Sequence, residues 1–190
     1  VELVRSFYSL HRCQSPYFLE ISREFIDYLQ SEHQMREADP PFMFELAHYE
    51  WIELALSVSQ QEADLLEIDT QKPLLEGHPV MSPLAWLLTY AWPVHHIKPE
   101  YLPEEPAQQP VCLIVYRDAD DEVQFTEVNL VTAKLLQQLE LNKDASGADV
   151  LKEIAAELGH DDPEPVLASG LQILQDLKQK GIILGASIGD

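Results

Sequence analysis

The chain has 190 residues, 46% hydrophobic and 24% charged, which is the profile of a globular protein with room for one ordinary domain or two small ones. Its 33 acidic residues against 12 basic ones give a net charge of −21, and a chain of that sign repels the phosphate backbone on which nucleic-acid affinity rests. No apolar run reaches the roughly 18 residues of a membrane span, and no basic-then-apolar signal segment opens the chain, so the partners expected are proteins or peptides met in the cytoplasm.

The chain opens on Val1 rather than Met and enters a helical pattern at once, which reads as a piece whose natural N-terminus lies upstream. In "VELVRSFYSLH", Leu3, Val4, Phe7 and Leu10 fall at helical spacing. A second helix is predicted in "SPYFLEISREFIDYLQSE": Ser15 before Pro16 is a cap-and-first-turn signal, and Phe18, Ile21, Phe25 and Leu29 form one stripe. "EADPP" breaks it, because Pro40 and Pro41 cannot continue a helix. A third helix, "PFMFELAHYEWIELALSV", carries the aromatic anchors Phe42, Phe44, Tyr49 and Trp51. Residues 1–59 thus read as the C-terminal part of a helical domain, a truncated bundle.

Residues 60–109 hold seven of the thirteen prolines, a density that forbids a long helix and favours extended segments and turns. A strand is predicted there near Tyr90 to Ile97. Residues 110–190 are the most regular part. "VCLIVYR" is a buried strand, "DADDE" a turn and "VQFTEV" a second strand. Asn129 caps a helix through "LVTAKLLQQLEL", and Ser146 with Asp149 imitates a capping box before "VLKEIAAELG". Asp162 and Pro163 start a third helix, which presents Val166, Leu167, Gly170, Leu171, Leu174 and Leu177 inward. Gly159 and Gly181 end the last two helices, and "IILG" closes the chain as a strand. The fold class is α+β: a helical N-terminal segment, then a small winged-helix-like domain.

"FTEVNLVTAKLL", "GADVLKEIAAELG" and "VLASGLQILQDLKQKGIIL" resemble the small PqqD-type modules that recognise the precursors of ribosomally made, modified peptides. Over nearly the whole chain, "HRCQSPYFLEISREFIDYL", "FELAHYEWIELAL", "SPLAWLLTYAWPVHHI", "LIVYRDADDEVQFTEVN" and "KGIIL" resemble the HvfC/BufC family. The N-terminal half of that family often carries a DNA-binding label. The resemblance implies a partner protein of a multinuclear iron oxidative enzyme that modifies cysteines in a small precursor peptide, with the iron held by the enzyme.

The residues add their own constraints. No Gly-rich phosphate loop, nucleophile elbow or paired Cys or His motif occurs, so neither catalysis nor a cofactor of the chain's own is expected. His48, His95 and His96 are read as structural or surface residues and no metal ligand is expected; adjacent histidines on a strand point to opposite faces, so one at most of His95 and His96 could line a single site. Cys13 and Cys112 are read as two buried thiols. The strand Val123, Gln124, Phe125, Thr126, Glu127 and Val128 is the candidate peptide-binding edge, with Leu167, Leu171 and Leu174 of the last helix selecting side chains. Phe42, Phe44, Trp51, Trp86 and Trp92 are either packing or a partner interface. A DNA-reading helix is the rival, but Lys152 stands beside Asp149, Glu153 and Glu157, and the last helix begins "DDPEP". The expectation is a non-catalytic adaptor that binds a precursor peptide and docks on its modifying enzyme, with a DNA-binding regulator or a plain interaction scaffold as alternatives.

Overall fold

A computed structural model describes residues 2–13 and 15–188; Val1, on which the reading of an upstream segment rests, lies outside them. The chain divides into two compact units, one of residues 1–58 with 90–110, the other of residues 59–89 with 111–190. The proline-rich stretch is therefore shared between the units instead of forming a connection of its own.

In the first unit, α1 (Glu2–Ser6) continues into a wider π-type turn, Phe7–His11, which ends where Arg12 takes a left-handed conformation with φ 54°. Helix α2 (Phe18–Ser31) and helix α3 (Met43–Ser57) pack on it. Phe7, Tyr28 and Leu29 form the buried centre, and Ile21, Phe25, Phe44 and Ala47 close around it; the side chain of Phe18, the first residue of the expected stripe, lies outside those described. His11 ties the turn to α2, with Nδ1 2.7 Å from Glu32 and Nε2 3.3 Å from Glu24. Ser15 does not cap α2. Its hydroxyl accepts from the Tyr17 N–H at 3.2 Å and donates to Glu20, so the helix starts beyond it. Helix α2 stops at Ser31, where the predicted segment ends and before the prolines, and His33 is drawn into the following loop by Asp39, 2.9 Å away.

The strand expected near Tyr90 to Ile97 is displaced. The strand ends at Tyr90, and Val94–His96 form a 3-10 turn. Pro93 has no N–H to give a ladder, and the carboxylate of Glu45 accepts the N–H groups of Ala91 and Trp92 at 3.0 and 2.9 Å, which holds those residues away from sheet pairing.

The second unit contains two three-stranded sheets. Strands β1 (Ile68–Asp69), β2 (Pro79–Met81) and β6 (Ile183–Ser187) make the first, in the order β1-β6-β2. Strands β3 (Ala85–Tyr90), β4 (Val111–Arg117) and β5 (Val123–Val128) make the second, in that order. Helices α4 (Leu130–Leu141), α5 (Gly147–Glu157) and α6 (Glu164–Gln179) follow. The architecture is α+β, as expected.

Local chemistry accounts for these boundaries. The Asp118 carboxylate accepts the N–H groups of Asp120 and Glu122 at 2.9 and 3.0 Å and closes the β4–β5 turn. Asn129 Oδ1 accepts the Thr132 N–H at 2.8 Å, and Ser146 Oγ accepts the Asp149 N–H at 3.1 Å; caps of this kind contribute about 1 kcal/mol each. Helices α5 and α6 end on Gly159 and Gly181, at φ 74° and 76°. His160 and Ile182 then donate back to the carbonyls of Ala155 and Leu177, the paired C-terminal bonds of a left-handed stop. The core joins Ile114 and Tyr116 of β4 to Leu135, Leu136, Val150, Ile154, Leu174 and Ile183.

Candidate functional site

Strand β5 lies at the border of its sheet, with β4 as its neighbour there. Register pairs Cys112 with Val128, Ile114 with Thr126, and Tyr116 with Gln124. Cross-strand partners share a face, so Gln124, Thr126 and Val128 stand on the side of Ile114 and Tyr116. Val128 packs against the core that contains both of them. Val123, Phe125 and Glu127 occupy the opposite face by alternation. The Val128 side of the strand thus turns to the helices.

At this border β4 is buried at six of its seven positions, whereas β5 is half-buried throughout except for exposed Glu127. Lys180, just past α6, brings Nζ within 3.3 Å of Thr126 Oγ1. The three leucines of α6 are not equivalent. Leu174 is 0% and Leu167 8% exposed, both within the core, while Leu171 is half-buried against it. Leu171 also lines a shallow cleft with Lys72, Leu75 and Lys178. Leu167 and Leu174 therefore support the domain from inside.

The aromatic set divides in the same way. Phe42 is 5% exposed and meets Trp92 edge-on at 5.8 Å, so it is core. Phe44 packs partly buried against the Phe7 cluster. Trp51 lines an apolar cavity of about 340 Å³ with Val4, Phe7, Tyr8 and Phe25. Trp86 and Trp92 are half-buried, and the Trp86 indole N–H donates to the Pro83 carbonyl at 3.0 Å.

His48 Nδ1 lies 2.9 Å from the hydroxyl of buried Tyr90. Burial pushes the His48 imidazole below its ordinary value against a smaller opposing pull from Glu45, and burial pushes the Tyr90 phenol up. His95 and His96 sit on a 3-10 turn, not a strand, with ring centroids 3.8 Å apart; the argument that adjacent histidines must diverge does not hold there. Both cysteines are free: Cys112 is buried as expected, but Cys13 is only half-buried. Sequence reasoning missed the Glu45 clamp, the His48–Tyr90 pair and the Lys180–Thr126 contact. Their partners stand 46, 42 and 54 positions apart, where no local pattern reaches.

Residues 82–178, just over half of the chain, match the family model described as the HvfC C-terminal domain. The match begins just before β3 and ends one residue short of the end of α6, so it spans the sheet bordered by β5 and the helices behind it. No curated protein matches the chain. Among the described residues no helix is long and apolar enough to cross a membrane.

Proposed function

Since the chain belongs to the HvfC family, a family of partner proteins, we propose that it is a non-catalytic adaptor that grips an extended precursor peptide on β5 and docks on the iron-dependent enzyme that modifies it. The observation that carries the reading is the place of β5 at the border of its sheet. A border strand can take a guest chain as an additional strand, with backbone hydrogen bonds giving affinity and neighbouring side chains giving selectivity.

Val123 to Val128 form the wall in this reading. Lys180 stands at its helical side, Leu171 is the α6 leucine left half-buried, and Leu167 and Leu174 hold α6 in place from the core. Helix α6 then closes a winged-helix-like module of the PqqD type. The half-buried Phe44, Trp51, Trp86 and Trp92 are the candidates for the enzyme-facing surface, because aromatic anchors dominate such interfaces. Neither role needs a metal or cofactor on this chain.

Titration of the isotopically labelled full chain with candidate leader peptides tests the reading by amide chemical shifts. Saturable shifts concentrated at Val123 to Asn129 and along α6 are expected, with no turnover of the peptide by the chain alone. An unchanged β5 at millimolar peptide rules the groove out. Retardation of duplex DNA at low salt, with the same strand unaffected, establishes the rival instead.

A further inference from the structure

A second concave surface lies away from β5, at the outer edge of the first sheet. It is a cleft of about 610 Å³ within the second unit. Its floor is apolar: Met81 of β2, Trp86 of β3, Leu139 of α4 and Pro83 between the two strands. One wall is β2 itself, the outer strand of the order β1-β6-β2. That strand has only three residues and begins on Pro79, which has no N–H. A long backbone ladder cannot form there, so a guest must be held by an anchor side chain and by charge.

The polar rim decides which charge. Glu67 and Glu140 both line the cleft, and so does His78. His78 Nδ1 is 3.0 Å from the Ala145 carbonyl. A carbonyl only accepts, so Nδ1 carries a proton and donates to it. The rim thus holds two carboxylates to one ammonium group, that of Lys143. This rim suits a cation.

We infer that the cleft framed by β2, Trp86 and the end of α4 is a docking site for a short extended segment of a partner protein, one that inserts an aromatic or large aliphatic side chain next to a lysine or arginine. This site shares no residue with the proposed β5 groove and does not depend on it; it shares Trp86 with the candidate enzyme-facing surface.

The test uses the full chain and two acetylated, amidated peptides, Ala-Lys-Phe-Lys-Ala and Ala-Glu-Phe-Glu-Ala. The lysine peptide is expected to shift the Trp86 indole N–H and the amides of Val80 to Ser82, and the glutamate peptide to leave them unmoved. Glu140 is exposed, so Glu140→Lys should leave the fold intact while weakening the lysine peptide about five-fold or more, the scale of one rim charge reversed. The inference is overturned by equal binding of the two peptides, by an unchanged affinity in Glu140→Lys, or by shifts confined to β5. The last outcome leaves the β5 reading standing. Shifts at Trp86 with none at β5 do the reverse.

Discussion

At the scale of single residues, His48 shows how burial sets chemistry. Its imidazole is held below the ordinary value mainly by desolvation, and Glu45 offsets only part of that. A depressed value means that the fold favours the neutral ring. The stabilisation is complete above the unfolded value, near 6.5, and is lost as pH falls through the folded one. Nuclear magnetic resonance titration of the His48 ring should therefore give a midpoint below that of an exposed histidine in the same chain. The thermal midpoint should drop between roughly pH 7 and pH 5, and drop less in His48→Gln. A ring titrating at or above the ordinary value contradicts this account. Sequence alone placed His48 as structural but could not name Tyr90, because a contact across two elements leaves no trace in local spacing.

At the scale of elements, α6 separates what packs from what is reachable. Leu174 is fully buried among Ile114, Leu135 and Ile183, so Leu174→Ala should cost about 2–5 kcal/mol in urea unfolding. Leu171, half-buried at the rim of the same cluster, should cost only about 1 kcal/mol on truncation, since less area returns to water. Equal costs contradict the inward and outward assignment of the helix. Elements with chemistry in their own sequence were legible: the β4–β5 hairpin from its Asp-rich turn, α4 and α5 from Asn129 and Ser146, and the ends of α5 and α6 from their glycines. Elements set by distant partners were not. Strand β3 sits earlier than the stretch near Tyr90 to Ile97 because Glu45 captures Ala91 and Trp92. The brief strands β1 and β2 exist because β6 returns to pair with both. The periodicity that marked α6 could rank Leu167, Leu171 and Leu174 as one face, but not tell which of them the core encloses.

At the scale of the molecule, charge is the property that decides which partners approach. Among the described residues, seven basic side chains are engaged on the chain's own acceptors. Arg36, Arg117, Lys134 and Lys152 meet the carboxylates of Asp39, Asp121, Glu157 and Asp149. Lys72 and Lys178 donate to the carbonyls of Ser187 and Thr70, and Lys180 to the Thr126 hydroxyl. The excess of 33 acids over 12 bases leaves the chain strongly negative. Long-range attraction then favours a basic guest and raises its association rate rather than its residence time. Stopped-flow association of a lysine-rich leader peptide should slow about ten-fold or more between 20 and 300 mM salt, as the screening length shrinks, while its dissociation rate changes little. A neutral peptide of the same apolar sequence should show almost no salt dependence in either rate. If the lysine-rich peptide associates equally fast at both salt concentrations, the acidic surface plays no part in recruitment, and affinity rests on the β5 border and its apolar neighbours alone.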